Sequence, residues 1–226
     1  MPHQFKGIFF DVDGVLLDSL PDHLAICRAK AAKFGLKIDI PSVQQFQKMI
    51  HDGVKVSPMF YFFLAVGFPE TEAELATHDY EAEFSTHYHP KPFPDVLVTL
   101  RALKTAGLEL GLITSNTRVN VESALTDCLL YFNQNCLFYF DSYAEPKTKS
   151  WCLRQGASAL GLNTEDCVYI GDQPNDAKEA QQANTSFIGV TYGWGIPKSD
   201  TRYSVVHSLA ELRDKLIQQN KYKHAI

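Results

Sequence analysis

Two carboxylates one residue apart, Asp11 and Asp13, follow directly on an apolar run in the stretch FFDVDGVLLDS. A segment that is burying itself gains nothing from two neighbouring acids unless something nearby needs them. Three other apolar runs end on comparable residues. LGLI leads into Thr114, Ser115 and Asn116; CVYI leads into Gly171 and Asp172, with Asp176 four residues on; FYFD leads into a loop that carries Lys147 and Lys149. Carboxylates that converge on a small volume repel one another unless a cation sits among them. A donor set made only of oxygen selects a hard ion, Mg²⁺ above all, which accepts one or two carboxylates together with a phosphate oxygen. A hydroxyl and an ammonium alongside would neutralise and orient the other phosphate oxygens. In such a site one of the first two acids is a candidate metal ligand and nucleophile, and the other is placed to handle a leaving-group proton.

The elements around these residues have to deliver them to one rim. FKGIFF, LELGLI, CLFYFD, CVYI and SFIGVTY read as strands, and VLVTLRALKTAG, RVNVESALTDCLLYF, SWCLRQGASALG, NDAKEAQQAN and SLAELRDKLIQQ read as helices, the last with Ser208 as N-cap. Strands alternating with helices of this length predict right-handed βαβ units in a parallel sheet, with the ligand site beyond the carboxyl ends of the strands. Residues 18–90 have a different rhythm. Helical spacing starts at DSLPDHLAICRAKAAKFGLK, with Asp18 and Ser19 as its N-cap and Gly35 as its stop, and three prolines in PKPFPD mark the return. The expected architecture is α/β: a Rossmann-like parallel-sheet core made of residues 1–16 and 92–226, with an inserted all-helical cap domain at 17–91.

The 226 residues, 45% of them hydrophobic, suffice for one core and a smaller accessory module. A net charge of -5 without a basic stripe argues against nucleic acid as a partner. No apolar run reaches the roughly 18 residues needed to span a bilayer, and Asp11 interrupts any secretory h-region, so a soluble, cytoplasmic protein without membrane attachment is expected, as monomer or homodimer. Five scattered cysteines without metal-ligand spacing read as buried, unreactive thiols. HYH at 87–89 reads as a boundary loop, FYFF at 60–63 as packing between helices or as pocket lining, and Trp151 and Trp194 as packing residues.

DVDGVLLDS resembles the first motif, Asp-x-Asp-Gly-Val, of the haloacid dehalogenase superfamily of aspartate-nucleophile phosphatases. LITSN is similar to the second motif and GDQPND to the fourth. The motif order and the place of the helical insert match the subgroup with a helical cap between the first two motifs, and PFPDVLVTLRALKTAGLELGLITSN is similar to the re-entry segment of phosphoglycolate-phosphatase-like members. The resemblance implies that Asp11 attacks phosphorus to form an aspartyl-phosphate, and that Asp13 protonates the leaving oxygen and then activates water. It further implies that Asp11, the backbone carbonyl of Asp13 and Asp172 hold Mg²⁺, with Asp176 as ligand or support, and that Thr114, with Ser115 and Asn116 beside it, binds the phosphoryl group.

DSLPDH resembles a stretch of β-phosphoglucomutase-like members whose histidine lies near the active site, which makes His23 a candidate cap or substrate contact; as a helical histidine it also reads as a surface residue. The third motif departs from the pattern. In EPKTKSW, Lys147 matches the Lys-Pro form and is preferred, while Lys149 matches members with a lysine at the helix start. The function implied is Mg²⁺-dependent hydrolysis of a small phosphorylated metabolite. A phosphomutase would need cap groups such as Lys55 or His51 to grip a second phosphate, a dehalogenase would need neither metal nor Asp13, and phosphonate hydrolysis would need a cap lysine able to form a Schiff base. A non-catalytic binding protein on the same fold would be expected to lose one of Asp11, Asp13 or Asp172.

Overall fold

In a computed structural model, which describes residues 4–145 and 147–221, the first strand, β1 (Gly7–Phe10), is buried along its whole length. A two-residue strand, β2 (Leu17–Asp18), leads to four helices: α1 (Leu20–Lys33), α2 (Val43–His51), α3 (Met59–Ala65) and α4 (Glu70–His87). Another two-residue strand, β3 (Lys91–Pro92), pairs antiparallel with β2. Helices and strands then alternate through α5 (Val96–Thr105), β4 (Glu109–Ile113), α6 (Arg118–Leu129), β5 (Leu137–Phe138), α7 (Lys149–Ala159), β6 (Cys167–Gly171), α8 (Pro174–Gln182) and β7 (Ser186–Val190). The described chain closes with β8 (Ser204–Val206) and α9 (Leu209–Lys221).

The main sheet has the order β5-β4-β1-β6-β7-β8, and every neighbouring pair is parallel. Near-continuous apolar runs such as GIFF and CVYIG suit strands covered on both faces. From β1 the chain builds toward one edge through β4 and toward the other through β6, so the connections diverge at the middle of the sheet and leave a crevice at its carboxyl end. Phe10 is level with Leu112 and Ile170. The residues that follow β1, β4 and β6 therefore arrive at one rim.

The expected fold class holds, with local differences. CLFYFD forms only the two residues of β5, because Gln134–Cys136 coil into a 3-10 turn before it. The three-residue edge strand β8 carries too short an apolar signal to stand out in the sequence. The prolines of PKPFPD do not leave an irregular linker: Leu17 faces Pro92, Asp18 faces Lys91, and Phe93 N–H donates to the Leu16 carbonyl at 2.9 Å. Proline lacks only the donor, so a short edge pairing tolerates it.

Helices α1 to α4 surround an apolar cluster that includes Leu24, Phe46, Phe62, Phe63 and Phe84. Trp194, from the loop after β7, belongs to that cluster as well. Beside it, Gln47 Nε2 donates to the Gly193 carbonyl at 2.8 Å, and Ile50 packs so closely on Gly195 that a Cβ there would overlap it. The buried Lys30 ties α1 to α4 through Asp79 at 2.9 Å and Glu83 at 2.6 Å. All five cysteines are buried and free of disulfides. Among the described residues no helix is long and apolar enough to cross a membrane.

The ring of Phe9 fills the space between β4 and α7, where a Cβ on either Gly111 or Gly156 would overlap it. Two glycines thus let α7 lie close to the sheet. Gly156→Val is expected to cost about 1–3 kcal/mol by overpacking, measured by urea unfolding. Wild-type stability in that variant would show that Phe9 can move aside.

Candidate active site

Three acids meet at the carboxyl end of the sheet. Asp11 leaves β1 with its N–H bonded to the Ile170 carbonyl at 2.9 Å, and its own Oδ1 accepts the Val12 N–H at 2.8 Å. Asp172 follows β6 and is 0% exposed. Asp176 sits in the first turn of α8, where Pro174 opens the helix and Asp176 Oδ2 accepts the N–H groups of Asp172 at 3.1 Å and Gln173 at 3.0 Å. One carboxylate oxygen from each acid lies within 4.8 Å of the others. Asp172 Oδ2 accepts the Trp194 N–H at 2.6 Å, whereas Asp172 Oδ1 is buried without a hydrogen-bond partner. Gly14, at φ +80, and Gly193 close around this side chain, and a Cβ on either would overlap it.

The ammonium of Lys149 lies 2.6 Å from Asp11 Oδ2 and 2.7 Å from Asp176 Oδ1. Burial pushes the Asp11 carboxyl up to about 7 against the pull of Lys149. Burial, reinforced by Asp176 and Asp11, drives Asp172 well above the ordinary carboxylate range. Burial alone would lower Lys149, but Asp11 and Asp176 together hold its ammonium well above the usual lysine value. One half-buried cation thus faces three buried acids, and the site is short of positive charge. Three oxygen donors, one of them orphaned, fit a hard divalent cation.

Asp13, half-buried beside this group, is held at both oxygens. Oδ1 accepts from the Ser19 hydroxyl at 2.6 Å and Oδ2 from Asn116 Nδ2 at 3.1 Å. Asn116 is itself fixed, since its Oδ1 accepts from the Thr117 N–H and from Asn120 Nδ2, both at 2.9 Å, and its N–H donates to Thr114 Oγ1 at 3.0 Å. Ser19 does occupy the N-cap position of α1, but its hydroxyl makes no cap and turns to Asp13 instead. Asp18 is exposed.

Asp11, Asp13, Thr114, Ser115, Asn116, Lys147, Lys149 and Asp176 all line one cavity of about 310 Å³. The two lysines, both on the cavity lining, differ in placement. Thr148 Oγ1 accepts the Trp151 N–H at 3.2 Å, so α7 begins at Lys149 and aims that side chain at Asp11 and Asp176. Lys147 precedes the helix, is exposed, and leans toward the Trp151 ring at 6.0 Å from its centroid.

His23 lines the same cavity and is no surface residue. It is buried, its Nδ1 donates to the Ser19 carbonyl at 2.7 Å, its Nε2 lies 3.3 Å from the Tyr80 hydroxyl, and the rings of Phe62, Phe84 and Trp194 surround it. Phe62 both packs in the helical cluster and lines the cavity. His51 and Lys55 do not line it; the Lys55 ammonium sits over the Tyr61 ring, 3.3 Å from its centroid. His87 and His89 are exposed and outside the acidic group. Two contributors escape a reading of side-chain types: the Ser19 hydroxyl, which looks like a cap, and the main chain of Trp194. The one cue to the latter is its setting in Gly-Trp-Gly after an apolar run.

The sequence model of the family described as haloacid dehalogenase-like hydrolase matches residues 8–190. The chain is 32% identical over 197 residues to a phosphoglycolate phosphatase of Xylella fastidiosa, covering 84% of this chain and 81% of that one. It is 28% identical over 206 residues to an N-acetylmuramic acid 6-phosphate phosphatase of Pseudomonas aeruginosa, covering 87% and 86%. A haloacid dehalogenase-like family hydrolase of known structure from Streptococcus pneumoniae shares the fold with a TM-score of 0.76 over 93% of this chain and 98% of that one, at 19% identity. A family match that runs from β1 to the end of β7, and so takes in all three acids of the buried group, leads to one conclusion: the chain belongs to the haloacid dehalogenase-like hydrolase family.

Proposed function

We propose that the protein is a Mg²⁺-dependent phosphomonoesterase that acts on a small phosphorylated metabolite through an aspartyl-phosphate. The observation that carries this reading is the buried group of Asp11, Asp172 and Asp176, with Asp13 oriented beside it by Ser19 and Asn116. Relatives named as phosphatases of two different phosphate esters support the reaction class. In this reading residues 17–91 form a cap over a core made of 1–16 and 92–226.

Asp11, Asp172 and the Asp13 carbonyl would hold Mg²⁺, and Asp176, whose two oxygens already serve Lys149 and the backbone, would support them. When bound, the ion neutralises charge on the phosphoryl oxygens and lessens their repulsion by Asp11. An Asp11 oxygen bonds to phosphorus as the bond to the leaving oxygen breaks, and Asp13 gives that oxygen a proton. Asp13 then takes a proton from the water that attacks the aspartyl-phosphate, which frees inorganic phosphate and restores Asp11. The Thr114 hydroxyl and the Lys149 ammonium donate to the phosphoryl oxygens.

The test is phosphate release from para-nitrophenyl phosphate by chelator-treated protein as Mg²⁺ is added back, with acid-quenched phosphoenzyme as a second readout. Undiminished turnover after chelation, or turnover with no trapped phosphoenzyme, would sink the reading. Ser19→Ala removes one of the two contacts on Asp13 and is expected to lower kcat about 10- to 100-fold with little change in KM or melting temperature. Stopped comparison of the two rate constants checks this, and a change confined to KM would contradict the role given to Ser19.

A further inference from the structure

Beside the acids and lysines, the cavity is lined by the apolar Val56, Pro58, Met59 and Phe62 and by the aromatic Trp194 and Tyr80. Apart from the exposed Lys37, which does not line the cavity, the lysines and the arginine of helices α1 to α4 and their loops are committed elsewhere. Lys30 bonds Asp79 and Glu83, Lys33 bonds Asp79, Lys48 bonds Asp52, Arg28 reaches the Pro41 carbonyl, and Lys55 covers the Tyr61 ring. Among the described residues that line the cavity, the lysines are Lys147 and Lys149, both from the loop and helix start beside the acids, and there is no arginine. Lys149 is already shared between two carboxylates. Both ring nitrogens of His23 are engaged, one by the Ser19 carbonyl and one by Tyr80.

We infer that the leaving group this site accepts is an uncharged alcohol presenting an apolar face, and that esters whose leaving group carries a carboxylate or a second phosphate are selected against. The inference rests on the phosphatase reading above and names its substrate class. A second anion on the substrate would shed its hydration against Val56, Met59 and Phe62, and among the described lining residues only the exposed Lys147 is left to compensate it. It would also meet Asp13 and Glu179, which line the same space. An aryl or alkyl face instead replaces water on the apolar wall of this cavity. Met59 and Phe62 are the specificity-determining residues on this account. Rejection of the anion, rather than extra attraction to the neutral group, supplies most of the discrimination.

The decisive comparison is benzyl phosphate against 4-carboxybenzyl phosphate, two esters of matched reactivity that differ by one carboxylate. With Mg²⁺ in excess, kcat/KM is expected to favour benzyl phosphate about tenfold or more, and Met59→Lys is expected to narrow that ratio by improving the carboxylated ester. Calorimetric titration with benzylphosphonate and 4-carboxybenzylphosphonate, which cannot be hydrolysed, reads the same preference without turnover. Selective phosphonate binding with no hydrolysis of either ester would overturn the phosphatase reading and leave the pocket assignment standing. Equal or better handling of the carboxylated compounds in both measurements would overturn the pocket assignment. A loss of that handling in Lys147→Met would then trace it to Lys147.

Discussion

Asp11→Asn is expected to cut phosphate release by about 10,000-fold or more and to leave the melting temperature nearly unchanged. The carboxamide fills the same volume, and its oxygen can keep the Val12 N–H contact at the end of β1. It cannot supply the electron pair of a carboxylate to phosphorus, so the loss falls on kcat. Stability responds differently because the wild-type group is under electrostatic stress: burial pushes its carboxyl up to about 7, with Asp176 adding to the rise. Removing that charge relieves repulsion among the acids while forfeiting one of the two bonds to Lys149, and the two effects oppose each other. Initial rates in excess Mg²⁺, set beside thermal unfolding of the same preparation, check both halves. A folded variant that retains more than about a hundredth of wild-type turnover would be incompatible with Asp11 as the nucleophile.

Lys149→Met is expected to damage both stability and rate, and Lys147→Met to leave stability almost untouched. Lys149 is the cation between Asp11 and Asp176. Without it two buried carboxylates face each other uncompensated, a loss on the order of 3–5 kcal/mol, and turnover is expected to fall about 100- to 1,000-fold for want of a phosphoryl donor. A divalent cation among the acids would replace part of the missing charge, so Mg²⁺ is expected to raise the melting temperature of Lys149→Met more than that of wild type. Lys147 is exposed, and its removal belongs to the surface class of within about 0.5 kcal/mol. Unfolding of both variants with chelator and with Mg²⁺ decides the matter; a larger loss in the Lys147 variant would return the assignment to that residue.

The acids were legible because each follows a strand whose apolar run is unmistakable, and a parallel sheet places such residues at one end. The choice between two lysines two residues apart was not, because it turns on where α7 starts. That start depends on the Thr148 hydroxyl meeting the Trp151 N–H, a contact no residue type announces. Ser19 shows the same limit. A serine before a helix satisfies a free backbone N–H in most settings, and only the nearness of Asp13 in the folded chain diverts its hydroxyl. The sequence leaves His23 open between a cap or substrate contact and a surface residue of its helix, because the four aromatic rings from α3, α4 and the loop after β7 that close around it come from distant segments. β2 and β3 escaped because two-residue pairings leave no periodicity to read.

The loop Gly193-Trp194-Gly195 touches the helical layer through Gln47 and Ile50 and touches Asp172 through the Trp194 N–H. Both contacts are made by one short stretch of main chain, so the seating of α2 and the orientation of the Asp172 carboxylate share a common set of backbone angles. Free energy coupled through such a stretch is reciprocal: whatever steadies Asp172 favours the docked helices, and whatever docks the helices steadies Asp172 by the same amount. A ligand held under α3 and an ion held at Asp172 would therefore act as cooperative partners, each reading the other's presence through three residues that need take no part in the chemistry.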